Sequence, residues 1–362
     1  MQTVKNITSL KYFLERGETV DHEYAFDVNY HQDAKSHFHS LPTFVAEFKN
    51  CSVHTLPLLI TEDRHMITDH VWPLLHKTKH KASRQHGLWN HWDDEIDINL
   101  PPITRQFNGT FQFVWLPIDE ASAENPWHIW IDVISKFRLL EKRWSTNFAK
   151  YVYILPNRSK YFDKVVKELF PELRYEVMQK GEVWRFQHLI VPSMSNHDDG
   201  VTTPHLIPWL RHIKGRYEIP KTTGRKIYIQ RQGAITRKVK NHNDLLLALK
   251  GWESVALEKL SIADQIKTFA SASHVLAPHG AGLVNLLWCR KGTKVIEMQD
   301  AKMIHKKVYP VLSHHLGLKH ELYITDTVPI DTPGKNKPKG VKRFNDLIDF
   351  NVNIPDLIRH LD

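Results

Sequence analysis

Along the second half of the chain, short apolar runs alternate with stretches in which apolar residues recur every three or four positions. Short runs rich in Val, Ile and Tyr are typical of buried strands, and the longer spacing is typical of helices. Pro310 is expected to interrupt the last helix. Strict alternation of strands and helices predicts a parallel sheet. Strands are predicted at residues 226–230, 253–258, 274–277, 294–299 and 320–324, and helices at 241–251, 261–273, 280–288 and 301–317.

The first half of the chain shows the same two patterns less regularly, so it is also predicted to be α/β. A segment rich in Pro, Gly and Thr at both ends, residues 202–224, is the predicted connector. We therefore expect an N-terminal domain at 1–205, a second domain at 206–335, and a helical segment at 336–362 that packs back across the domain junction. Strands are predicted at residues 43–48, 54–60, 111–117, 151–156 and 188–192, and helices at 124–142 and 159–171.

Length and composition agree with two folded domains. The chain has 362 residues, and a single hydrophobic core rarely grows beyond roughly 250–300 residues. No stretch reaches the roughly 20 consecutive apolar residues of a membrane span, and the N-terminus lacks the apolar core of a signal peptide. A soluble, cytoplasmic protein is therefore expected. Cys51 and Cys289 are the only cysteines and lie far apart in the sequence, so neither a disulfide nor a thiolate metal site is expected.

The chain is basic, with a net charge of +9 and a pI near 9.3. This charge favours anionic partners, which include nucleotide phosphates, nucleic acid and an acidic membrane surface with which the protein would associate peripherally. Histidine is frequent, and His76 and His80 have the helical i, i+4 spacing of a metal-ligand pair. Neither a HExxH pattern nor a cysteine cluster accompanies them, and the acidic stretch 92–97 is typical of a solvated loop. No metal is therefore expected.

A turn with two glycines, PHGAG at residues 278–282, follows the predicted strand at 274–277. In an open parallel sheet, ligands bind beyond the carboxyl ends of the strands, where helix N-termini present backbone N–H groups. Gly280 and Gly282 would let a diphosphate approach the backbone without a Cβ in the way. The alternative is a tight turn in which the glycines only permit close packing of helix and strand.

Two arginines follow another predicted strand, at residues 226–230. Arg231 comes directly after this strand and Arg237 lies farther along the same loop, so both permanently charged side chains can face one crevice. Two arginine side chains near a helix that begins with glycines are suited to bind a diphosphate. A solvated basic loop is the alternative.

These stretches resemble a known family. Residues 227–244 and 261–298 are similar to the C-terminal signature of glycosyltransferase family 61, in which two arginines, a Gln-Ile helix, the sequence HGAGLxN and a strand ending in Glu follow one another. Residues 125–142 resemble the family's His-aromatic segment. So many positions in order make this resemblance far more specific than a glycine motif alone. The matching positions of the signature are Arg231, Arg237, Asn241, Gln265, His279, Gly280, Ala281, Gly282, Asn285 and Glu297.

The resemblance implies an α/β fold of the GT-B type, with two Rossmann-like domains that face a cleft. It implies an inverting, metal-independent hexosyl- or pentosyltransferase without a cofactor. The donor would be a nucleotide sugar, expected to be UDP-linked. The acceptor would be a glycan or glycolipid hydroxyl in the synthesis of surface polysaccharide or glycoprotein glycans, and nucleic acid is not an expected partner. The alternative is a basic protein that binds nucleotides, glycans or nucleic acid without catalysis.

Inversion requires one in-line displacement, in which a base takes the proton of the acceptor hydroxyl. His128 is the candidate base, and Asp132, four residues later on the same predicted helix, would orient its ring. The alternative for His128 is a structural histidine of the helix. Asp69 and Glu62 are the competing bases.

The predicted donor site collects the residues of the C-terminal signature. Arg231 and Arg237 would contact the diphosphate, and the Gly280–Ala281–Gly282 turn would donate backbone N–H groups to it. His279 would contact phosphate or donor sugar. Glu297 would bind a pair of ribose or sugar hydroxyls or, alternatively, form a structural ion pair. Asn285 is expected to be a structural cap or packing residue.

Overall fold

The computed structural model of the chain describes residues 2–7, 17–21, 24–31, 34–40, 43–55, 58–67, 95–98, 101–109, 112–118, 122–144, 150–193, 204–219, 224–304, 307–330 and 348–361. The chain separates into two compact units, Met1–Tyr24 with Ser40–Asp198 and Ala25–His39 with Asp199–Asp362. The second unit thus includes a short segment from the N-terminal region, which the predicted boundary at 205 assigns to the first domain.

In the described ranges, strands follow one another without a helix up to residue 115, whereas strands and helices alternate between residues 225 and 324. The strands are β1 (Gln2–Ile7), β2 (Gly17–Asp21), β3 (Tyr24–His31), β4 (Ala34–Ser40), β5 (Thr43–His54), β6 (Leu58–Ile60), β7 (His65–Ile67), β8 (Glu95–Ile98), β9 (Arg105–Phe107), β10 (Phe113–Trp115), β11 (Val152–Leu155), β12 (Arg174–Val177), β13 (Val183–Pro192), β14 (Arg225–Ile229), β15 (Trp252–Val255), β16 (Ala272–Pro278), β17 (Lys294–Gln299), β18 (Lys319–Ile324), β19 (Asp326–Pro329) and β20 (Ile348–Asn351). The α-helices are α1 (Pro126–His128), α2 (Lys136–Trp144), α3 (Lys160–Leu169), α4 (Leu206–His212), α5 (His242–Ala248), α6 (Ile262–Ser271), α7 (Val308–Leu316) and α8 (Ile354–Leu361). A π-helix spans Ile129–Ile134, and 3₁₀ helices span Ile213–Arg216, Leu257–Lys259, Ala281–Trp288 and Ala301–Met303.

The first unit is built on a mixed sheet whose described strands have the order β12-β11-β10-β13-β5-β6-β7-β1-β8, with β2 on β5 and β9 on β13. Strands β12, β11, β10 and β13 are parallel to one another, whereas β5 pairs antiparallel with β13 and β6. Strands β5, β6 and β7 follow one another closely in the chain, and short connections permit only antiparallel pairing. The first unit is therefore α/β, but its sheet is only partly parallel. A Rossmann-like domain implies a wholly parallel sheet.

The core of the first unit lies on the two long strands β5 and β13. Alternate residues of a strand face the same side of a sheet, and every second residue at the start of β5 enters the same cluster. Outside the strands, the predicted helix at 159–171 forms as α3, and its Ser159 cap accepts a hydrogen bond from the Phe162 N–H at 2.9 Å. The buried cluster consists of Phe44, Ala46, Phe48, Cys51, Val53, Leu59, Trp115, Ile154, Met178, Trp184, Phe186, Leu189 and Val191.

The second unit contains a five-stranded sheet with the order β15-β14-β16-β17-β18, and all of its pairs are parallel. This confirms the parallel sheet predicted from strict alternation. The strand order reverses between β14 and β16, because the chain builds outward from β14 on one side and from β16 on the other. In sheets of this kind, the crevice beyond the carboxyl ends of the strands at this reversal is where ligands bind.

Helices cover both faces of the second sheet. Leu276, Ile296 and Met298 face an apolar cluster to which α5 and α8 contribute, whereas Val295, on the opposite face of β17, is also fully buried. The predicted helix at 261–273 forms as α6. Its cap is Ser261, whose side chain accepts from the Asp264 N–H at 3.0 Å. Burial on both faces explains why these strands are nearly continuous apolar runs.

Two predicted helices of the second unit differ in the structure. Residues 281–288 form a 3₁₀ helix instead of an α-helix. Pro310 does not interrupt the helix at 301–317, because α7 begins at Val308 and Pro310 is its third residue. The first N–H groups of a helix have no partner within it, so a proline there costs no hydrogen bond. A separate 3₁₀ turn, Ala301–Met303, precedes α7.

The predicted connector and the C-terminal segment are also different. Within the predicted connector at 202–224, the described residues 204–219 contain α4, whose Leu206 and Leu210 are fully buried, so this described part packs into the second unit. Residues after 347 begin with strand β20, which pairs antiparallel with β19, rather than forming one helix. Asn353 ends this extended segment, because its Oδ1 accepts from the Asp356 N–H at 3.2 Å and so caps α8.

Candidate functional site

Predicted donor-site residues meet where the strand order of the second sheet reverses. Arg231 follows β14 by two residues, and His279 and Gly280 directly follow β16. Because β14 and β16 are neighbouring parallel strands, their carboxyl ends lie side by side. The structure therefore brings the arginine loop and the PHGAG turn together at one edge of the sheet.

The glycines of the turn make room for side chains of the protein. A Cβ on Gly280 would lie 2.1 Å from Nη1 of Arg231, and one on Gly282 would lie 2.7 Å from Cδ1 of Leu257. Gly280 has φ 171° and ψ 166°, an extended conformation that any residue can adopt, so lack of space is the reason for glycine here. The space above Gly280 thus holds the Arg231 guanidinium, and donation of backbone N–H groups from this turn to a diphosphate stays a prediction.

Arg231 is a half-buried cation without a protein acceptor in the described part of the chain. Its Nε is buried and has no hydrogen-bond partner there, and none of the described carboxylates forms an ion pair with it. Burial and, to a smaller extent, the nearby charge of Arg237 lower the pKa of Arg231 to about 10, while Tyr309 and Glu258 act in the opposite direction. A buried charge of this kind is costly unless it is paired. The arrangement therefore favours binding of an anion.

Arg237 lies at the far end of the same loop in an unusual backbone conformation. Its φ of 61° is in the left-handed region, which residues other than glycine rarely adopt. Its N–H donates to the Ile348 carbonyl oxygen at 2.6 Å, so β20 holds the loop in this conformation. Strained positions of this type cluster at ligand sites because the surrounding structure must maintain them.

His279 belongs to a buried chain of polar side chains. Glu297 Oε1 accepts from His279 Nδ1, and Glu297 Oε2 accepts from His320 Nε2 at 3.0 Å. His320 Nδ1 lies 2.7 Å from the Ser313 hydroxyl oxygen, and the Gln299 amide nitrogen lies 3.1 Å from His279 Nδ1. Strands β17 and β18 place Glu297 and His320 on one face of the sheet, because Val295 is the neighbour of His320 in the β17–β18 pairing and residues 295 and 297 share a face.

Glu297 is ionised in this chain. Burial favours its protonated form, but the charges and hydrogen bonds of His279 and His320 outweigh burial and lower its pKa to about 2. Its side chain is 1% exposed, and each carboxylate oxygen is bonded to a histidine. This is the geometry of the alternative interpretation, a structural ion pair.

The first unit holds the candidate base at the start of a helix. His128 Nδ1 lies 2.6 Å from Asp132 Oδ2, and the two side chains are 27% and 16% exposed. The Asn125 side chain caps this helix by accepting from the Trp127 N–H at 3.0 Å. The helix comes after β10 in the chain. The two side chains are in contact, as their helical spacing predicts, and the role of His128 as the base stays a prediction.

A π-helix begins directly after His128. The Ser135 N–H donates to the Trp130 carbonyl oxygen at 3.1 Å, an i to i−5 bond that widens the turn. Short π segments occur frequently at functional sites. Asp132 lies within this segment, and its Oδ1 is buried without a hydrogen-bond partner among the residues that the structure describes.

Lys136, four residues after Asp132, is an unexpected part of this cluster. It is 1% exposed, and no hydrogen bond or ion pair of its amine occurs within the described ranges. Burial lowers the pKa of Lys136 to about 8, although the charge of Asp132 opposes this effect. Lysine is almost never fully buried unless it is paired, so this side chain is an exception.

The other predicted residues lie outside these clusters or outside the described ranges. Glu62 is exposed and accepts from the Asn50 amide at 3.0 and 3.1 Å. Asp69 lies outside the described residues, so its role as a competing base stays a prediction. Asn285 is buried, donates to Gln265 Oε1 at 3.1 Å, and accepts from the Trp288 indole at 3.0 Å. It is therefore the structural residue that was expected.

Metal-binding and membrane-spanning features can be judged only in the described ranges. There, no group of three or more His, Cys, Asp or Glu side chains could hold a metal ion. His76, His80 and residues 92–94 lie outside those ranges. Among the described helices, none has the length and apolar character needed to cross a bilayer.

Sequence reasoning missed Lys136, Tyr309, Ser313 and His320. Lys136 had a detectable signal, because it continues the spacing of four residues from His128 through Asp132. The ring of Tyr309 lies against the ring of His279, with centroids 5.1 Å apart. Tyr309, Ser313 and His320 had no local signal, since they reach the site only through the packing of α7 and β18.

One α/β unit carries two half-buried arginines on a loop that follows a parallel strand, and the other carries a histidine–aspartate pair, which are residues that a glycosyltransferase can use. Residues 64–296, well over half of the chain, match the family described as Glycosyltransferase 61. The chain belongs to this family, which confirms the resemblance found in the sequence. A search among curated proteins found no match.

Proposed function

We propose that the chain is an inverting glycosyltransferase that moves a sugar from a nucleotide sugar to a hydroxyl of a glycan or glycolipid. The observation that carries the proposal is Arg231, a half-buried guanidinium at the sheet reversal whose Nε is buried and which has no protein acceptor in the described part of the chain. A diphosphate satisfies such a group, because charged hydrogen bonds to phosphate are strong and fit the planar guanidinium.

The donor would occupy the second unit. Arg231 and Arg237 would bind the diphosphate, and the N–H groups at the start of the 281–288 helix would add further donors. His279 would contribute from the same turn. Glu297 would act indirectly by holding His279, since its oxygens are used within the protein. A UDP-linked sugar is our first choice of donor.

The acceptor would react in the first unit. His128 Nδ1 is hydrogen-bonded to Asp132, so Nε2 is the nitrogen that accepts a proton. The acceptor oxygen would attack the anomeric carbon while the bond from that carbon to the diphosphate oxygen breaks. The proton of the acceptor hydroxyl would pass to His128 Nε2, and the nucleoside diphosphate would leave with the bonding electron pair.

Two α/β units, each with candidate residues at the carboxyl ends of parallel strands, support a GT-B arrangement. In that arrangement, the two sites would face each other across a cleft. Cationic side chains can stabilise the departing diphosphate without a metal ion, so we propose metal-independent transfer. Synthesis of surface polysaccharide or of glycoprotein glycans would be the cellular context.

The test measures free nucleotide released from a panel of UDP-, GDP- and ADP-sugars, together with calorimetric binding of the matching nucleoside diphosphates. Arg231→Ala should weaken diphosphate binding by about 1.5–3 kcal/mol, the contribution of a charged hydrogen bond. Arg290→Ala is the matched control, because Arg290 is exposed, and it should leave the affinity unchanged.

The results of these experiments distinguish a glycosyltransferase from a protein that binds nucleotides without catalysis. Unchanged affinity in Arg231→Ala would remove the phosphate role of this arginine. Diphosphate binding without turnover on any donor and glycan acceptor would instead favour a non-catalytic nucleotide-binding protein.

A further inference from the structure

Three members of the buried chain, Glu297, Ser313 and His320, lie outside the 64–296 family match. They come from three separate elements, β17, α7 and β18, and the side chain of His320 is only 7% exposed. Polar groups buried to this degree are costly unless each one is satisfied. Here they form one continuous line from Ser313 to His279, which we treat as a unit.

The bonds of this line define the roles of its nitrogens. An ionised carboxylate only accepts hydrogen bonds, so His279 Nδ1 and His320 Nε2 must both carry hydrogen. The Ser313 hydroxyl can donate to His320 Nδ1, which allows His320 to be neutral while it still donates to Glu297. The protonation of His279 is then decided at its Nε2.

The other charged and titratable groups that face His279 keep their charge states over a wide pH range. Glu297 is ionised, since its pKa is lowered to about 2. Tyr309 stays neutral because burial and the charge of Glu297 raise its pKa, and Arg231, with Arg237 beside it, stays charged until its pKa of about 10. Glu297, Tyr309 and Arg231 therefore keep their charge states through neutral pH.

We propose that His320, oriented by Ser313, sets the proton affinity of His279 through Glu297, and so determines the pH range in which the second unit binds a nucleoside diphosphate. This inference rests on the proposed function, because it takes His279 as part of the donor site. A protonated His279 adds a positive charge to the residue next to Gly280, over which the Arg231 guanidinium lies, and this charge favours the diphosphate. The hydrogen bond from His320 stabilises the negative charge of Glu297. Glu297 therefore stabilises the protonated form of His279 less strongly.

The experiment follows the dissociation constant of UDP, GDP or ADP, whichever binds best, from about pH 7 to about pH 9, where the terminal phosphate no longer titrates. The wild-type affinity should fall as His279 loses its proton. His320→Met removes the donor to Glu297, so the fall should move to higher pH by on the order of one unit. His320→Gln keeps an N–H near the position of Nε2, and Ser313→Ala keeps the imidazole, so both should give smaller shifts.

The exposed His314, next to Ser313 on α7, provides the control variant His314→Gln, which should show the wild-type profile. A uniform loss of affinity at every pH in the His320 and Ser313 variants would show that these residues are merely structural and would overturn the inference. A wild-type affinity that is constant across the range would also overturn it. If the wild type binds no nucleoside diphosphate at any pH, the proposed function itself fails. His320→Gln and Ser313→Ala keep the test valid if His320→Met does not fold.

Discussion

Replacing Lys136 by methionine should stabilise the protein at neutral pH. Lys136 is 1% exposed, and its pKa falls from the usual 10.5 to about 8 in the folded chain. One pKa unit corresponds to 1.36 kcal/mol, so the charged amine destabilises the folded state by roughly 3 kcal/mol. Methionine is unbranched and apolar and fills a similar space without a charge. The expected gain is therefore up to about 3 kcal/mol in the free energy of unfolding.

The pH dependence of this gain follows from the direction of the shift. Because the folded pKa lies below the unfolded one, the unfolded chain binds more protons between pH 8 and pH 10.5, so wild-type stability rises with pH in this window. The full penalty is present below pH 8 and disappears above pH 10.5. The advantage of Lys136→Met should therefore shrink towards zero as the pH rises through that window.

Urea unfolding, followed by tryptophan fluorescence at several pH values, measures this difference. Lys167→Met is the matched control, since Lys167 is exposed on α3, and surface substitutions usually change stability by less than about 0.5 kcal/mol. The reasoning is refuted if Lys136→Met destabilises the protein at pH 7, or if its effect is the same at every pH.

Three further predictions concern the proposed reaction. His128→Ala should lower turnover by ~10²–10⁴-fold while thermal midpoint and diphosphate affinity persist, and turnover within a few-fold of wild type would redirect attention to Glu62 and Asp69. Gly280→Ala should weaken diphosphate binding measured by calorimetry, because the new Cβ would lie 2.1 Å from Arg231 Nη1; wild-type affinity would contradict the packing that we describe. EDTA should leave sugar transfer intact in an assay of released nucleotide, and a loss that manganese restores would point to residues 92–97 or to the His76/His80 pair.

The secondary structure of the second unit was largely predictable from local sequence. The strand at 294–299 was predicted with the bounds that β17 has, and the Ser261 cap of α6 sits at the predicted position. Such signals are local, since the apolar spacing and the capping residue lie within one element. The 3₁₀ helix at 281–288 was not predictable in this way, because its apolar composition suits an α-helix equally well.

The first unit was less predictable because its pairing is not local. The prediction of a strand at 188–192 captured only the end of β13, which runs from Val183 to Pro192 and pairs along its length with β5. These two strands lie more than a hundred residues apart in the chain. Polar residues in such strands give weak local patterns, and the partner strand supplies the missing stabilisation.

The sequence by itself determined which residues end the strands of the second sheet, and so it placed Arg231, Arg237 and His279 at one edge. It also determined the spacing that joins His128 to Asp132 on one helix. Only the tertiary structure decided that β14 and β16 are neighbours, that the Arg231 guanidinium fills the space above Gly280, and that Glu297 lies between two histidines. The physical reason is that strand order, burial and the pairing of charges depend on residues far apart in the chain, whereas periodicity and capping depend on neighbours.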